Sequence, residues 1–164
     1  MLEENSVGAK SEALAKQLEA KVQEAMATLK QLTDGDWKKV TEVEKWPVGV
    51  TAHHLAGVLE PISKMVEAVV AGQSLDFTNE MLDKRNAKHA KDYANCTKAE
   101  TIELLKKGAA IAAAVIRGLS DDQLAKSGIV LADAPPMTAE QLITGGLLAH
   151  IDGHFGSIRK TVGN

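Results

Sequence analysis

Histidine is the residue type whose spacing in this sequence suggests chemistry. Of the five histidines, four form two close pairs, His53 with His54 and His150 with His154. Residues four apart on a helix lie above one another on the same face, so His150 and His154 can bind one metal ion together. Neutral imidazole is a good ligand for Zn(II), Ni(II) and Fe(II), the divalent metals that this pattern indicates.

The residues around the later pair indicate that it faces the interior of the protein. At about 100° per residue, Ile143, Leu147 and Ile158 lie on the same side of a helix as both histidines of this pair. The two imidazoles are therefore expected on the apolar face of that helix rather than in water.

The earlier pair divides between an inward and an edge position. His54 is in register with Val50 and Val58, which form an inward stripe, whereas His53 falls beside this stripe. We predict a three-histidine metal site formed by His54 and the later pair; the alternative is that each ring is a core histidine bonded to a carbonyl. For His53 and His89 we prefer this second, structural interpretation.

Other familiar metal sites do not fit the sequence. A zinc metalloprotease motif needs Glu directly after its first histidine, where this chain has Ile151. Ferritin-like di-iron sites need Glu three residues before a histidine, and no histidine here has one. A structural zinc site usually has four protein ligands, and Cys96, beside a helix cap, is a poor fourth. Three ligands leave a position open for water or substrate, as in catalytic sites.

Four segments show the apolar spacing of amphipathic helices that would carry these histidines. The first ends near a turn at residues 34–36, and the second contains Pro61, which is expected to kink it. The third and fourth begin with the capping pattern Thr-x-x-Glu or Thr-x-x-Gln. The expected ranges are 14–32, 47–71, 97–118 and 138–162. This pattern predicts an all-α fold, a four-helix bundle with a long crossover between helices two and three.

The crossover is polar, but Phe77 and Met81 predict a short helix that lies across the bundle. We expect substrate to enter beside this segment, residues 73–96. Asp83 and Asn86 are the candidate contacts there.

Small residues form a strip on the fourth helix beside the histidines, namely Gly145, Gly146, Ala149, Gly153 and Gly156. Glycine inside a helix costs about 0.8–1 kcal/mol relative to alanine, so the strip requires a reason. Either a neighbouring helix approaches closely or the strip leaves space for substrate. We favour close packing, against the Ala-rich part of the third helix.

Composition limits the classes of protein to which the chain can belong. Its 164 residues carry a net charge of −3 and 3% aromatic residues, which argues against nucleic-acid binding. The longest apolar run, residues 109–116, is far shorter than a membrane span of roughly 20 residues. A single cysteine and an N-terminus without signal-peptide character predict a cytoplasmic protein. We expect one domain over residues 1–164.

Two segments resemble the signatures of one protein superfamily. Residues 46–56, WPVGVTAHHLA, resemble the helix-two signature of the DinB-like (YfiT-like) superfamily. Residues 150–158, HIDGHFGSI, resemble its fourth-helix signature, His-x-x-x-His followed by Gly and an apolar residue. The resemblance implies a four-helix bundle in which His54, His150 and His154 hold a divalent metal.

The resemblance also implies a functional class, metal-dependent transferases and isomerases that use low-molecular-weight thiols such as bacillithiol or mycothiol. We therefore expect a metal-dependent enzyme that acts on a small molecule. Its reaction would be that of a thiol-dependent S-transferase or isomerase, or that of a hydrolase. A homodimer is left open. The alternative is a non-catalytic bundle in which the metal is structural and the function is dimer or partner binding. Gly57 and Ser157 depart from the superfamily pattern, which concerns the surroundings of the metal more than its ligands.

Overall fold

Helices account for most of the structure, as the apolar spacing predicts. The computed structural model describes residues 8–163. Its helices, in chain order, are α1 (Ala9–Gln31), α2 (Asp34–Lys38), α3 (Val48–Val70), α4 (Asn79–Asp92), α5 (Lys98–Arg117), α6 (Asp121–Leu124), α7 (Ala139–Gln141) and α8 (Ala149–Val162). A π-helical segment, Leu142–Leu148, joins α7 to α8, so one helical unit runs through all three. Two short strands, β1 (Ser127–Gly128) and β2 (Met137–Thr138), pair antiparallel before this unit.

The four long helical units pack into a bundle. α3 lies against α5 and against α8, and α1 also packs against both α5 and α8. Large apolar side chains from all four units are fully buried between them, among them Leu18, Leu55, Leu105, Ile143, Leu147 and Phe155. The predicted all-α four-helix bundle is confirmed. None of the helices in the described part of the chain is both long enough and apolar enough to cross a membrane.

The predicted caps are present at the helices that begin after the crossover. Thr138 accepts a hydrogen bond from the Gln141 backbone N–H at 3.0 Å, and the Gln141 side chain accepts one from the Thr138 N–H in return. This capping box satisfies backbone donors at the start of the unit that continues into α8. At α5, the Thr97 hydroxyl accepts from the Glu100 N–H at 3.2 Å. Both starts therefore lie within a residue of their predicted positions.

The turn predicted at residues 34–36 is instead the short helix α2. Thr33 accepts a hydrogen bond from the Asp36 N–H at 3.0 Å, and Asp36 accepts one from the Thr33 N–H at 3.1 Å. This capping box favours a helical turn because it satisfies donors that a helix start leaves without partners. The next prediction, a long helix with Pro61 in its interior, is confirmed by α3.

The crossover contains the predicted short helix, α4. Its start is tied to the loop before β2, because Asn79 donates to Asp133 at 3.0 Å and the Ala132 N–H donates to the Phe77 carbonyl at 2.7 Å. Met81, one of the residues that suggested this helix, is 45% exposed, so other residues of α4 face the bundle.

Candidate metal centre

Three histidines from two helices bring ring nitrogens to one place. One nitrogen each of His54 on α3 and of His150 and His154 on α8 lie within 4.8 Å of one another. The Nε2 atoms of His54 and His150 are 3.4 Å apart. Trp46 packs edge-on against His54, with ring centroids 5.3 Å apart. The structure thus brings together the three histidines that the helical faces single out.

Burial keeps two of these rings neutral at physiological pH. It lowers the pKa of His54 to about 3, and the neighbouring histidines add to the effect because they would repel a positive charge. Burial also lowers the pKa of His150 to about 4, again with a contribution from His154. Neutral imidazoles have a free lone pair, which is the state required of a metal ligand.

A buried carboxylate from outside the two helices holds the third ring. Glu44, in the loop before α3, lies 2.8 Å from Nδ1 of His154, and its side chain is only 7% exposed. The Ser157 hydroxyl donates to the other carboxylate oxygen at 2.7 Å. Both oxygens of Glu44 therefore have partners on α8.

The charge of Glu44 determines that Nδ1 of His154 carries a proton. Burial is the largest single influence on the pKa of Glu44 and raises it, but hydrogen bonds, led by that of Ser157, outweigh burial and lower the pKa overall. The ionised carboxylate can only accept, so Nδ1 of His154 donates to it. With Nδ1 bonded to Glu44, Nε2 is the ring nitrogen of His154 left to bind a metal.

The sequence pattern did not predict Glu44, which lies in an irregular charged loop with no periodicity. One signal was present in Ser157, three residues after His154 and thus on the same side of the helix. A hydroxyl beside a histidine suggests a shared acceptor, although the sequence does not show which one.

The donor set fits a divalent metal ion. Two nitrogen ligands at 2.0–2.1 Å from a tetrahedral zinc ion lie roughly 3.3–3.4 Å apart, which matches the separation of the His54 and His150 nitrogens. A carboxylate bonded to the outer nitrogen of a metal-binding histidine is a common arrangement, because it fixes the tautomer and the ring orientation. Glu44 has this position relative to His154.

His53 and His89 form a second pair beside the three histidines. His53 Nδ1 and His89 Nε2 are 2.9 Å apart, and the Tyr93 ring stacks on His53 with centroids 4.1 Å apart. His53 is only 6% exposed, so the prediction of an edge position is wrong; its helix is covered there by α4. Burial and the neighbouring His53 lower the pKa of His89 to about 4. Nδ1 of His89 is buried and has no hydrogen-bond partner within residues 8–163.

A cavity of about 700 Å³ opens beside the histidines. Residues of α3, α4 and the π-helical segment line it, and His54, His89 and His150 are in its wall. Of the two candidate contacts in the crossover, Asn86 lines the cavity, whereas Asp83 is exposed and lies outside it. Substrate entry beside α4 therefore stays a prediction that the position of the cavity supports.

The close packing predicted for the glycine strip is present at Gly146 but not at the other three glycines. A Cβ atom would meet nothing within 4 Å at three of its positions, Gly145, Gly153 and Gly156. At Gly146 a Cβ would lie 3.3 Å from Ile62, so the close neighbour is α3 and not the third helix, α5. Gly145 and Gly146 line the cavity, which agrees with the alternative that the strip leaves space.

Comparison with known proteins gives two findings. Residues 18–147, well over half of the chain, match the family model described as the mycothiol maleylpyruvate isomerase N-terminal domain. The match includes His54 but ends before His150 and His154. The structure is similar to one described as the crystal structure of the mycothiol-dependent maleylpyruvate isomerase, with a TM-score of 0.71 and 11% sequence identity.

The similarity to that crystal structure covers 90% of this chain but only 60% of the other, so the chain spans less than two thirds of its length. At 11% identity the likeness establishes the fold alone. No curated protein matches the chain in sequence.

Proposed function

Because the chain belongs to the family of mycothiol maleylpyruvate isomerase N-terminal domains, part of the DinB-like (YfiT-like) superfamily, we propose that it is a metal-dependent enzyme using a low-molecular-weight thiol. The reaction is an isomerisation or S-transfer on a small molecule. The observation that carries the proposal is the cluster of three histidine nitrogens within 4.8 Å of one another, beside a cavity.

In this proposal, His54, His150 and His154 hold Zn(II), Ni(II) or Fe(II). A divalent cation there lowers the pKa of a thiol or water that binds to it and stabilises developing negative charge. The chain's own contribution is to keep His54 and His150 neutral by burial and to orient His154 through Glu44. The metal ligands are therefore held ready before any ion binds.

The other residues of the cavity position and shield the reactants. His89 is next to His54, with ring centroids 5.4 Å apart, and its low pKa keeps it uncharged at neutral pH. The apolar side chains of α3 and of the π-helical segment line the cavity beside the histidines, so a substrate that fills the cavity displaces water there. Displacement of water favours transfer to or from a thiol over hydrolysis, and for this reason we place the hydrolase alternative second.

The first test is metal content. Wild-type protein purified without chelators is expected to carry a stoichiometric divalent metal, measured by inductively coupled plasma mass spectrometry. His54→Gln should lose this metal, whereas His53→Gln, the neighbouring histidine outside the cluster, should keep it. Equal metal content in His54→Gln and wild type would contradict the proposed ligands.

Chelation distinguishes a catalytic from a structural metal. α3 and α8 already pack through an apolar core, so EDTA should lower the melting temperature without unfolding the protein. A metal at a hundred times its Kd contributes about 2.7 kcal/mol, which corresponds to about 5–11 °C for a chain of this size. Unfolding at 25 °C on chelation would instead favour the non-catalytic bundle. Metal-dependent turnover is then assayed with pairs of a thiol and a substrate, starting from mycothiol as the thiol and maleylpyruvate as the substrate.

A further inference from the structure

The cavity beside the histidines is lined mainly by apolar side chains. They come from α3, α5, the π-helical segment and the loop before β2, and include Val58, Ile62, Met65, Leu104, Val130 and Leu142. Among the described residues that line it, Arg85 is the only lysine or arginine, and no carboxylate is present. A ligand that fills this cavity must therefore bring a largely apolar body.

Arg85 is available to bind an anion. Arg85 is exposed and lines the cavity, and its guanidinium lies 5.8 Å from the centroid of the ring of Phe77, a residue outside the lining, in a cation–π contact. No carboxylate within residues 8–163 is at ion-pair distance from it. Asn86, next in the chain, also lines the cavity. A guanidinium without a carboxylate partner is suited to binding a ligand carboxylate through two hydrogen bonds.

Arg85 and the histidine cluster can contact one molecule. Arg85 precedes His89 by four residues, one turn of α4 or about 6 Å along the helix axis. His89 in turn is adjacent to His54, with ring centroids 5.4 Å apart. A ligand bound at Arg85 can therefore extend along the apolar wall to His54 and His150, the two members of the cluster that line the cavity.

We infer that this cavity binds an amphipathic monocarboxylate, with its carboxylate at Arg85, its apolar body in the cavity and its far end at the histidine cluster. The reaction at that far end rests on the proposed function, but the binding does not. In the metal-free protein, a small dicarboxylate would leave the apolar wall unfilled and would place two negative charges where the lining offers one cation, Arg85. The chain thus selects a more apolar ligand than the maleylpyruvate in the name of its structural relative.

Binding of three small probes to the full chain tests the charge requirement. Isothermal titration calorimetry is done with octanoate, with 1-octanol, which has the same apolar body and no charge, and with maleate, which has two charges and little apolar surface. Octanoate is expected to bind at least about tenfold more tightly than either of the others, the size of one charge-assisted contact. Maleate or octanol binding as tightly as octanoate would overturn the inference.

Substitution of Arg85 tests whether it holds the carboxylate. Arg85→Met should weaken the binding of octanoate by about tenfold and leave the binding of octanol unchanged. Arg85→Lys should keep the preference for octanoate over octanol. Lys91→Met, which removes an exposed cation from the same helix outside the cavity, should behave like wild type. Unchanged octanoate affinity in Arg85→Met would overturn the assignment of Arg85.

Substitution of Gly145 tests whether the apolar body enters the cavity. A side chain at Gly145, which lines the cavity, meets no other group at its Cβ, so Gly145→Leu should fold and fill the space. Octanoate and octanol should both bind at least about tenfold more weakly to it. Gly153→Leu, on an equally open and exposed position of α8, should bind both as wild type does. Wild-type affinities in Gly145→Leu would place the ligand elsewhere.

The titrations separate this inference from the proposed function, because each is run on EDTA-treated and on metal-loaded protein. Preferential binding of octanoate in a protein that never retains metal would support the ligand class and contradict the proposed enzyme. Retention of metal by the three histidines without preference for octanoate would contradict the ligand class alone.

Discussion

The Glu44 carboxylate sets the orientation of the His154 ring. If His154 is a metal ligand, Glu44→Gln should lower the affinity for Zn(II) by about 10–100-fold. The glutamine amide accepts a weaker hydrogen bond than the carboxylate and no longer keeps the proton of His154 on Nδ1. Competition with a chromophoric chelator measures this affinity. Glu42→Gln is the matched control, since Glu42 pairs with Lys160 on the surface, where both side chains are 75% exposed. Equal zinc affinity in both variants would mean that Glu44 only stabilises the loop.

The individual histidines were predictable from sequence to different degrees. His54, His150 and His154 converge as predicted, because helical periodicity relates each of them to apolar neighbours on the same face. For His53 the sequence predicts an edge position, because the periodicity of its own helix shows which side the residue faces but not that α4 covers that side. Glu44 was missed because a loop has no period from which a direction can be inferred.

The start of α3 is held against α2 by the ring of Trp37. A Cβ atom at Gly49 would lie 2.3 Å from two atoms of this ring, and Trp37 Nε1 donates to the Cys96 carbonyl at 3.0 Å. Gly49→Ala must displace the ring and this hydrogen bond, and it should lower the free energy of unfolding by about 1–3 kcal/mol despite the helix preference of alanine.

Gly57→Ala is the control on the same helix, because its Cβ would lie at an ordinary 3.8 Å from Leu104. It should raise the free energy of unfolding by up to about 1 kcal/mol. Urea denaturation followed by circular dichroism measures both variants. If Gly49→Ala is as stable as Gly57→Ala, Trp37 moves at little cost and does not constrain α3.

The long helices were predictable because each repeats its apolar residues over several turns. The exceptions are short or irregular. α2 has too few residues for a period, and Thr33 and Asp36 define it only through their mutual hydrogen bonds. The π-helical segment, Leu142–Leu148, shares its apolar spacing with an ordinary helix, so the sequence predicts a helix there without its hydrogen-bond pattern.

The stability of the whole metal-free molecule should depend on pH through its buried histidines. His54, His89 and His150 have pKa values of about 3, 4 and 4 in the folded state, below the ordinary value of 6.5. At a pH between the folded-state values and 6.5, these histidines bind more protons in the unfolded chain than in the folded protein. The free energy of unfolding therefore falls as the pH decreases from about 6.5 toward 4. At pH 5 each of these histidines lowers the free energy of unfolding by on the order of 1–2 kcal/mol relative to pH 7.

Urea unfolding in EDTA at pH 7 and pH 5 measures this dependence. From pH 7 to pH 5, the free energy of unfolding of His150→Gln should fall less than that of wild type, by on the order of 1–2 kcal/mol. The reason is that the variant lacks one of the histidines whose pKa is lowered in the folded state. The same loss in both proteins would show that His150 is protonated in the folded state as readily as in the unfolded chain.

The two helices that supply the histidine cluster are far apart along the chain, since His150 follows His54 by 96 positions. Ribosomes add about 5–20 residues per second, so His54 is synthesised about 5–20 s before the last two donors exist. During this time the nascent chain has only one of the three. A complete three-histidine site is therefore a property of the finished bundle, and an ion acquired earlier would be held by other ligands.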